Sequence, residues 1–333
     1  MIRDLGPPQK VNYLNAMSLA RNFILKTSGL KPVESMVKKS FLFRPLVTRF
    51  IAGDTLETAI KESENILANG QRITLDYLGE NAHSESEALA SCEIYAKMLD
   101  RIDQVQKVQE WRSNHLGYEP LNISIKLTQC GLDQGSDFAE ANYRKVVEKA
   151  ASLNNFIRID MEGSDYTART VDIVTRVHAE LPNTGTVLQS YLHRNDDDVD
   201  LLIEKKVRTR LVKGAYLEPA AVAYQEKSKV DEKYVEQAKR MLLKGTYPAL
   251  ATQDEKIILE LKKFVEENNV DKSSFEFQML LGIRRDLQNG LVQEGYNVRI
   301  YVPYGDQWYP YFTRRLAERP ANAFFILKNL LKK

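Results

Sequence analysis

Two rhythms of hydrophobic and polar positions divide the chain. From residue 72 onward, short runs rich in β-branched and aromatic residues recur at 72–77, 122–127, 156–160, 186–191, 207–213, 247–251, 274–278 and 298–301. Between several of them lie longer stretches with apolar residues at helical spacing, at 85–111, 138–153, 166–180, 230–244 and 255–268. Strand alternating with helix marks βαβ units and a parallel sheet. Eight strands in about 250 residues suit a closed (β/α)8 barrel of the TIM type. An open doubly wound sheet with extra strands is the rival architecture.

Ahead of this rhythm, residues 9–53 read as helical but irregular, with Val11, Leu14, Leu19, Phe23, Ile24 and Leu25 among the apolar positions. Pro32 and Pro45 break the segment into several short helices, since proline lacks the amide that a helix interior uses. Asp54-Thr55-Leu56-Glu57 predicts a helix start capped by Asp54 or Thr55, and Asn69-Gly70 predicts its stop. The expected organisation is an N-terminal helical arm over 1–70 and a barrel over 71–333.

Alternation within the strands sorts their side chains onto two faces. Asn122, Ser124 and Lys126 oppose Ile123, Ile125 and Leu127, and Arg158 and Asp160 oppose Ile157 and Ile159. Glu276 and Gln278 oppose Phe275 and Phe277; Arg299 and Tyr301 oppose Val298 and Ile300. With the apolar sets against the helices, the polar sets point into a lumen that Val, Ile and Leu usually fill. An unpaired buried charge costs several kcal/mol, so these groups must pair or meet a polar ligand. Lys126, Asp160, Gln189, Gln278 and Tyr301 fall near the C-terminal ends of their strands, where barrel active sites sit. A plug of mutual salt bridges accounts for any one of them. Five strands carrying such groups together favour a large polar ligand over the barrel mouth.

Composition narrows the function. The chain has 333 residues, 43% hydrophobic and 28% charged, enough to bury a sizeable core without staples. Lys and Arg number 47 against 45 Asp and Glu, so a net charge of +2 gives no overall field for nucleic acid. The start, Met1-Ile2-Arg3-Asp4, lacks the apolar core of a signal peptide, and no apolar run is long enough to span a bilayer. A cytoplasmic protein is expected. Cys92 and Cys130 lie far apart in sequence and form no C-x-x-C, which argues against a disulfide framework or structural zinc. No G-x-G-x-x-G, P-loop or G-x-S-x-G occurs, and His83, His115, His178 and His193 lack metal-ligand spacing.

The strongest local signal is Arg299-Ile300-Tyr301-Val302-Pro303-Tyr304-Gly305, then Trp308, Tyr309, Tyr311 and Arg314-Arg315-Leu316-Ala317-Glu318. Pro303 and Gly305 are expected to end the strand. Tyr311, Arg315 and Glu318 follow at helical spacing. Adjacent guanidiniums repel each other unless an anion compensates, and the arginine fork suits a carboxylate. A solvated face with an Arg314–Glu318 pair competes with that idea, but the aromatic cluster favours a small carboxylate roofed by tyrosines.

With these residues in view, the chain resembles the proline dehydrogenase family, flavin enzymes that open proline catabolism, and looks most like their stand-alone bacterial form. The resemblance is carried by Ser124-Ile125-Lys126-Leu127, Ile159-Asp160-Met161-Glu162, Arg210-Leu211-Val212-Lys213-Gly214-Ala215-Tyr216, Phe275-Glu276-Phe277-Gln278, Leu78-Gly79-Glu80 and the segment from Tyr301 to Glu318. It implies oxidation of L-proline to 1-pyrroline-5-carboxylate by non-covalent FAD at the mouth of a distorted barrel, with the last helix over that mouth. It also implies a quinone-type electron acceptor and allows a peripheral contact with the inner face of the membrane.

Residue by residue, the resemblance assigns Arg314 and Arg315 to the proline carboxylate and Tyr301 and Tyr311 to its ring. Lys126 and Asp160 line the pocket, Asp160 holding the arginines and Tyr301, while Glu80 pairs with Arg314 as a gate. Arg210 and Gln189 approach the flavin ring and Lys213 its phosphates, while Gly214, Ala215, Thr252 and Gln253 complete the cofactor site. Hydride leaves the carbon beside the amine only when the nitrogen lone pair is free, and a nearby Lys126 cation disfavours the ammonium form. One departure stands out: Ala251-Thr252-Gln253-Asp254 carries glutamine where the family often has histidine. Gln253 can still donate and accept hydrogen bonds. Two alternatives remain: a Schiff-base aldolase using Lys126 or Lys213, and a non-catalytic metabolite-binding barrel. The apolar positions Phe324, Phe325, Leu327, Leu330 and Leu331 fit helix packing best, ahead of a dimer patch or a membrane contact.

Overall fold

A computed structural model describes residues 34–35, 37–38, 43–79, 81–114 and 117–318. Eight parallel strands close into a barrel in sequence order: β1 (Arg72–Tyr77), β2 (Leu121–Ile125), β3 (Ile157–Ile159), β4 (Thr184–Gln189), β5 (Arg208–Val212), β6 (Ala249–Ala251), β7 (Glu276–Leu280) and β8 (Val298–Tyr304). β8 pairs back onto β1, with Ile73 opposite Ile300 and Tyr77 opposite Tyr304. The rival open sheet is thereby excluded.

Helices separate the strands: α2 (Leu56–Ala68) before β1, α3 (Glu85–Asp103) and α4 (Gln106–Asn114) after it, then α5 (Ser136–Ser152), α6 (Ser164–Glu180), α7 (Asn195–Glu204), α8 (Lys227–Lys244), α9 (Glu255–Glu267) and α10 (Arg285–Gln293). Thr55 caps α2 as predicted, its hydroxyl accepting from the Thr58 amide, and Gly70 follows the helix end with φ +77°. The core between strands and helices takes the apolar alternates Ile73, Leu75, Ile123, Ile125, Ile157, Ile159, Phe277 and Ile300.

Backbone contacts divide the chain into two compact units, 52–305 and 1–51 with 306–333. The first is the barrel, and it includes α2, which packs on β1 and β8. That helix was expected in the arm; its apolar face, with Ile60 and Leu67 buried, joins the barrel core instead. In the second unit, α1 (Arg44–Phe50) and α11 (Tyr309–Glu318) bring aromatic rings together. Phe312 meets Phe43 edge-on at 6.4 Å and Trp308 at 5.7 Å. The apolar positions expected between Val11 and Leu25 and between Phe324 and Leu331 lie outside the described residues, as do Pro32, Glu80, His115 and the Glu318 side chain.

Three local expectations are corrected. Pro303 lies inside β8, which runs on to Tyr304. Tyr301 O accepts from Leu281 N on the β7 side, and two residues later Pro303 faces that side beyond the end of β7, so its missing N–H breaks no ladder bond. β4 begins two residues before the predicted run, at Thr184, and contains Gly185. A Cβ there would lie 2.0 Å from Arg208 O, so the glycine serves a close approach. Helices α7 and α10 were not anticipated: α7 opens on three aspartates and α10 carries Gly290, which mask short apolar stripes.

Candidate active site

The polar alternates do point into the barrel, and they settle into two layers with different chemistry. At the floor, the Arg208 fork donates to Glu119 at 3.0 and 2.8 Å, and Arg299 Nε donates to Glu276 Oε1 at 2.8 Å. Arg158 Nη1 donates to the backbone oxygens of Arg208 (2.6 Å) and Thr186 (3.3 Å). Burial works against both carboxylates, yet the arginines outweigh it: Arg208 and Arg299 hold Glu119 at about 2, and Arg299 holds Glu276 at about 2. The floor is therefore an ionic plug. Glu276 and Arg299 satisfy each other there, whereas Arg158 bonds through Nη1 alone. Its Nε and Nη2 are buried with no hydrogen-bond partner among the described residues, and burial with the nearby Arg210 and Arg208 charges pushes its guanidinium well below the usual range.

The mouth is built differently. Lys126, one residue past β2, donates to Asp76 Oδ1 on β1 at 2.9 Å, both side chains being buried. Asp160, one residue past β3, receives Arg210 Nη1 on Oδ1 at 2.7 Å and the Tyr301 hydroxyl on Oδ2 at 2.6 Å. Arg210 also donates through Nη2 to Ser124 Oγ at 3.1 Å and through Nε to Gln278 Oε1. Its guanidinium lies 5.3 Å from the Tyr301 ring centroid. Gln278 in turn donates to Glu276, so one hydrogen-bonded chain runs from mouth to floor.

These contacts set the charge states. Burial opposes the Lys126 ammonium, but Asp76 and Asp160 outweigh it and raise the lysine above its usual range. Burial, reinforced by the Asp160 charge, pushes the Tyr301 phenol well up, so it is protonated and donating. The expected effect of a lone Lys126 cation on a substrate amine is corrected here: Asp76 neutralises it. Burial of the site then disfavours an ammonium.

Most of the remaining predicted residues cluster around the same end of the barrel. Gln189 closes β4, is buried, and donates to Glu162 O at 2.9 Å. Lys213 follows β5 and donates to Asp231 (2.5 Å) and Asp254 (3.1 Å), so its charge already has carboxylate partners. Gly214 has φ +120°, and a Cβ there would sit 2.3 Å from the Tyr191 ring; Ala215 beside it is exposed. Thr252 is buried and accepts from the Asp254 amide at 3.1 Å, with half-buried Gln253 between them.

Tyr311, Arg314 and Arg315 lie on α11 in the second unit. The Arg315 guanidinium is 5.1 Å from the Tyr311 ring centroid. Asp160 was expected to hold Arg314 and Arg315; within the barrel the arginine it binds is Arg210, the cation that crosses the lumen from β5. Asp76 was missed, although it alternates with Thr74 between Ile73, Leu75 and Tyr77 and so carries the inward signal. Thr128 and Glu162 were also missed as a pair: the Thr128 hydroxyl donates to Glu162 Oε1 at 2.7 Å and ties together the segments after β2 and β3.

Comparison with known proteins agrees with this geometry. The family model described as proline dehydrogenase matches residues 59–328. Proline dehydrogenase 1 of Bacillus subtilis is 42% identical over 285 residues, covering 86% of this chain and 90% of that protein. A proline dehydrogenase of Deinococcus radiodurans is 39% identical, covering 94% and 98%. Among solved structures, proline utilization A from Bdellovibrio bacteriovorus, inactivated by N-propargylglycine, superposes with a TM-score of 0.76 at 24% identity over 83% of this chain. This chain spans 32% of that longer one, and the likeness speaks to the shared barrel.

Proposed function

The chain belongs to the proline dehydrogenase family and catalyses proline oxidation in proline catabolism, and from that premise we propose the product, cofactor and residue roles that follow. The product is 1-pyrroline-5-carboxylate, the cofactor would be non-covalent FAD, and the terminal acceptor would be of quinone type. The observation that carries this reading is the Arg210–Asp160–Tyr301 triad at the C-terminal mouth of the barrel.

The residues at the mouth fit a flavin. Gly214 presents bare backbone beside Tyr191 where any side chain would collide, and Gln189 and Arg210 offer amide and guanidinium donors suited to a polar ring edge. Gln189, Arg210, Lys213, Gly214, Ala215, Thr252 and Gln253 would hold the cofactor. When bound, the flavin supplies a two-electron acceptor for the hydride. To hold a cofactor phosphate, the Lys213 ammonium would have to share itself between that group and its present partners, Asp231 and Asp254.

The chain's own residues bind and orient the substrate. Arg314 and Arg315 take the carboxylate through paired charge-assisted bonds, and Tyr301 and Tyr311 pack against the ring. Asp160 fixes Tyr301 in one rotamer by accepting its hydroxyl, which holds the reacting carbon in one attitude. The neutral Lys126–Asp76 pair and the buried surroundings favour a neutral amine, the form whose lone pair assists hydride loss.

A Schiff-base aldolase is disfavoured on an observation: Lys126 is held as an ammonium, whereas an imine-forming lysine needs a lowered pKa. Turnover of L-proline with an artificial electron acceptor, with product trapping by an amino-aldehyde reagent, tests the reaction. Reduced acceptor together with trapped imine supports it. Borohydride-dependent attachment of a carbonyl substrate to Lys126, without acceptor reduction, contradicts it.

A further inference from the structure

The two cysteines, 38 positions apart in sequence, meet in space. On α3 the residues Ala88, Cys92, Tyr95 and Leu99 form the inner stripe at helical spacing. Two contacts bring this stripe against the turn after β2. The Tyr95 hydroxyl donates to Gln129 Oε1 at 2.5 Å. A Cβ on Gly131 would lie 3.3 Å from Ala88 Cβ. Cys130 sits between Gln129 and Gly131, Cys92 sits between Ala88 and Tyr95, and the two thiols are within hydrogen-bonding reach of each other. Both are free thiols; Cys130 is buried and Cys92 is partly open to solvent.

We propose that Cys92 and Cys130 are a peroxide-sensitive dithiol whose oxidation clamps α3 to the turn that carries Lys126 and slows proline oxidation. The environments divide the labour. The Cys130 contact lowers the Cys92 thiol, against burial and with help from Lys145 on α5. The same contact and burial raise Cys130. Cys92, partly open to solvent, is the thiol that peroxide can reach, and the buried Cys130 behind it is the resolving thiol.

In the first step the Cys92 thiolate attacks one oxygen of hydrogen peroxide. The O–O bond breaks, a sulfenic acid forms, and the departing hydroxide takes a proton to become water. In the second, the Cys130 sulfur attacks the Cys92 sulfur, the S–O bond breaks, and the hydroxide leaves as water with the Cys130 proton. Two thiols and one peroxide give one disulfide and two waters.

The connection to the site is short. Cys130 N donates to Lys126 O at 3.3 Å and to Leu127 O at 3.0 Å, closing the turn that begins at Lys126. A disulfide draws the sulfurs to about 2.0 Å, so the turn must shift toward α3.

The test treats the purified full chain with hydrogen peroxide and maps cysteine peptides without reduction. The expected result is a Cys92–Cys130 cross-linked peptide, loss of both titratable thiols, and a fall in proline turnover of about threefold or more. A thiol reductant should restore activity, and Cys92→Ser and Cys130→Ser should each keep full activity through the treatment. If both thiols stay titratable, or Cys92 over-oxidises without a cross-link, the dithiol is overturned. A cross-link that leaves turnover unchanged overturns the coupling to Lys126. The cross-link map uses the unmodified chain and needs no flavin, so it stands whether or not the serine variants fold and apart from the reading of electron transfer.

Discussion

Asp160 accepts the Tyr301 hydroxyl at 2.6 Å across the barrel mouth, joining the end of β3 to β8 over 141 positions of sequence. The same carboxylate binds Arg210 through its other oxygen, so Asp160 orients the Tyr301 phenol and the Arg210 guanidinium together. Tyr301→Phe keeps the ring and removes one charge-assisted bond worth about 1.5–3 kcal/mol. Steady-state kinetics should show kcat/KM for L-proline lowered about tenfold or more. Asp160→Ala also leaves Arg210 buried without its carboxylate, which should cost about 3–5 kcal/mol in denaturant unfolding. Tyr301→Phe kinetics equal to the parent would remove the bond from catalysis.

The Lys126–Asp76 pair is buried on both sides. Removing one partner strands a charge, whereas replacing both by apolar groups does not. Asp76→Leu alone should therefore lower the thermal midpoint strongly, and Asp76→Leu with Lys126→Met should recover most of the loss while activity stays low. A double variant as unstable as the sum of the single ones contradicts this account.

The floor carboxylates predict how stability responds to acid. Glu119 and Glu276 are held at about 2 in the fold against 4.5 for an unperturbed glutamate. Their contribution is fully present above about pH 4.5 and is lost as pH falls toward 2, because the unfolded chain takes up those protons first. Glu276→Gln should be less stable at neutral pH, yet its stability should decline less steeply across that acid window. Parallel pH profiles for parent and variant would show that Glu276 is not linked to acid unfolding.

Arg315→Met tests the carboxylate role. Losing bonds to a charged group, each about 1.5–3 kcal/mol, should raise the proline KM about tenfold or more while the visible flavin spectrum persists. An unchanged KM removes Arg315 from substrate binding.

Much of this was legible in the chain because alternation is local. Arg158 and Asp160, Glu276 and Gln278, and Arg299 and Tyr301 each announce an inward face beside apolar neighbours. What stayed hidden depends on closure. Nothing near Asp160 in sequence selects Arg210 as its partner, and nothing near Lys126 selects Asp76. Those pairs exist because β1 lies beside β2 with Asp76 opposite Ser124, and because β5 stands next but one to β3 in the closed ring, so that an inward side chain on one reaches past β4 to the other. Likewise Glu276 and Arg299 carry the same inward signal as the mouth residues but are consumed by the floor, a distinction of depth that a period of two cannot express. Pro303 misled because a proline ends a strand only where its missing amide is needed, and β7 has already ended there.

Flavin-dependent oxidation of proline at the Asp160-centred mouth has a direct readout in the visible spectrum. The purified chain, reconstituted with FAD if necessary, should be yellow and should bleach when L-proline is added without oxygen. A protein that binds no FAD, or whose bound FAD keeps its colour under anaerobic L-proline, would contradict it.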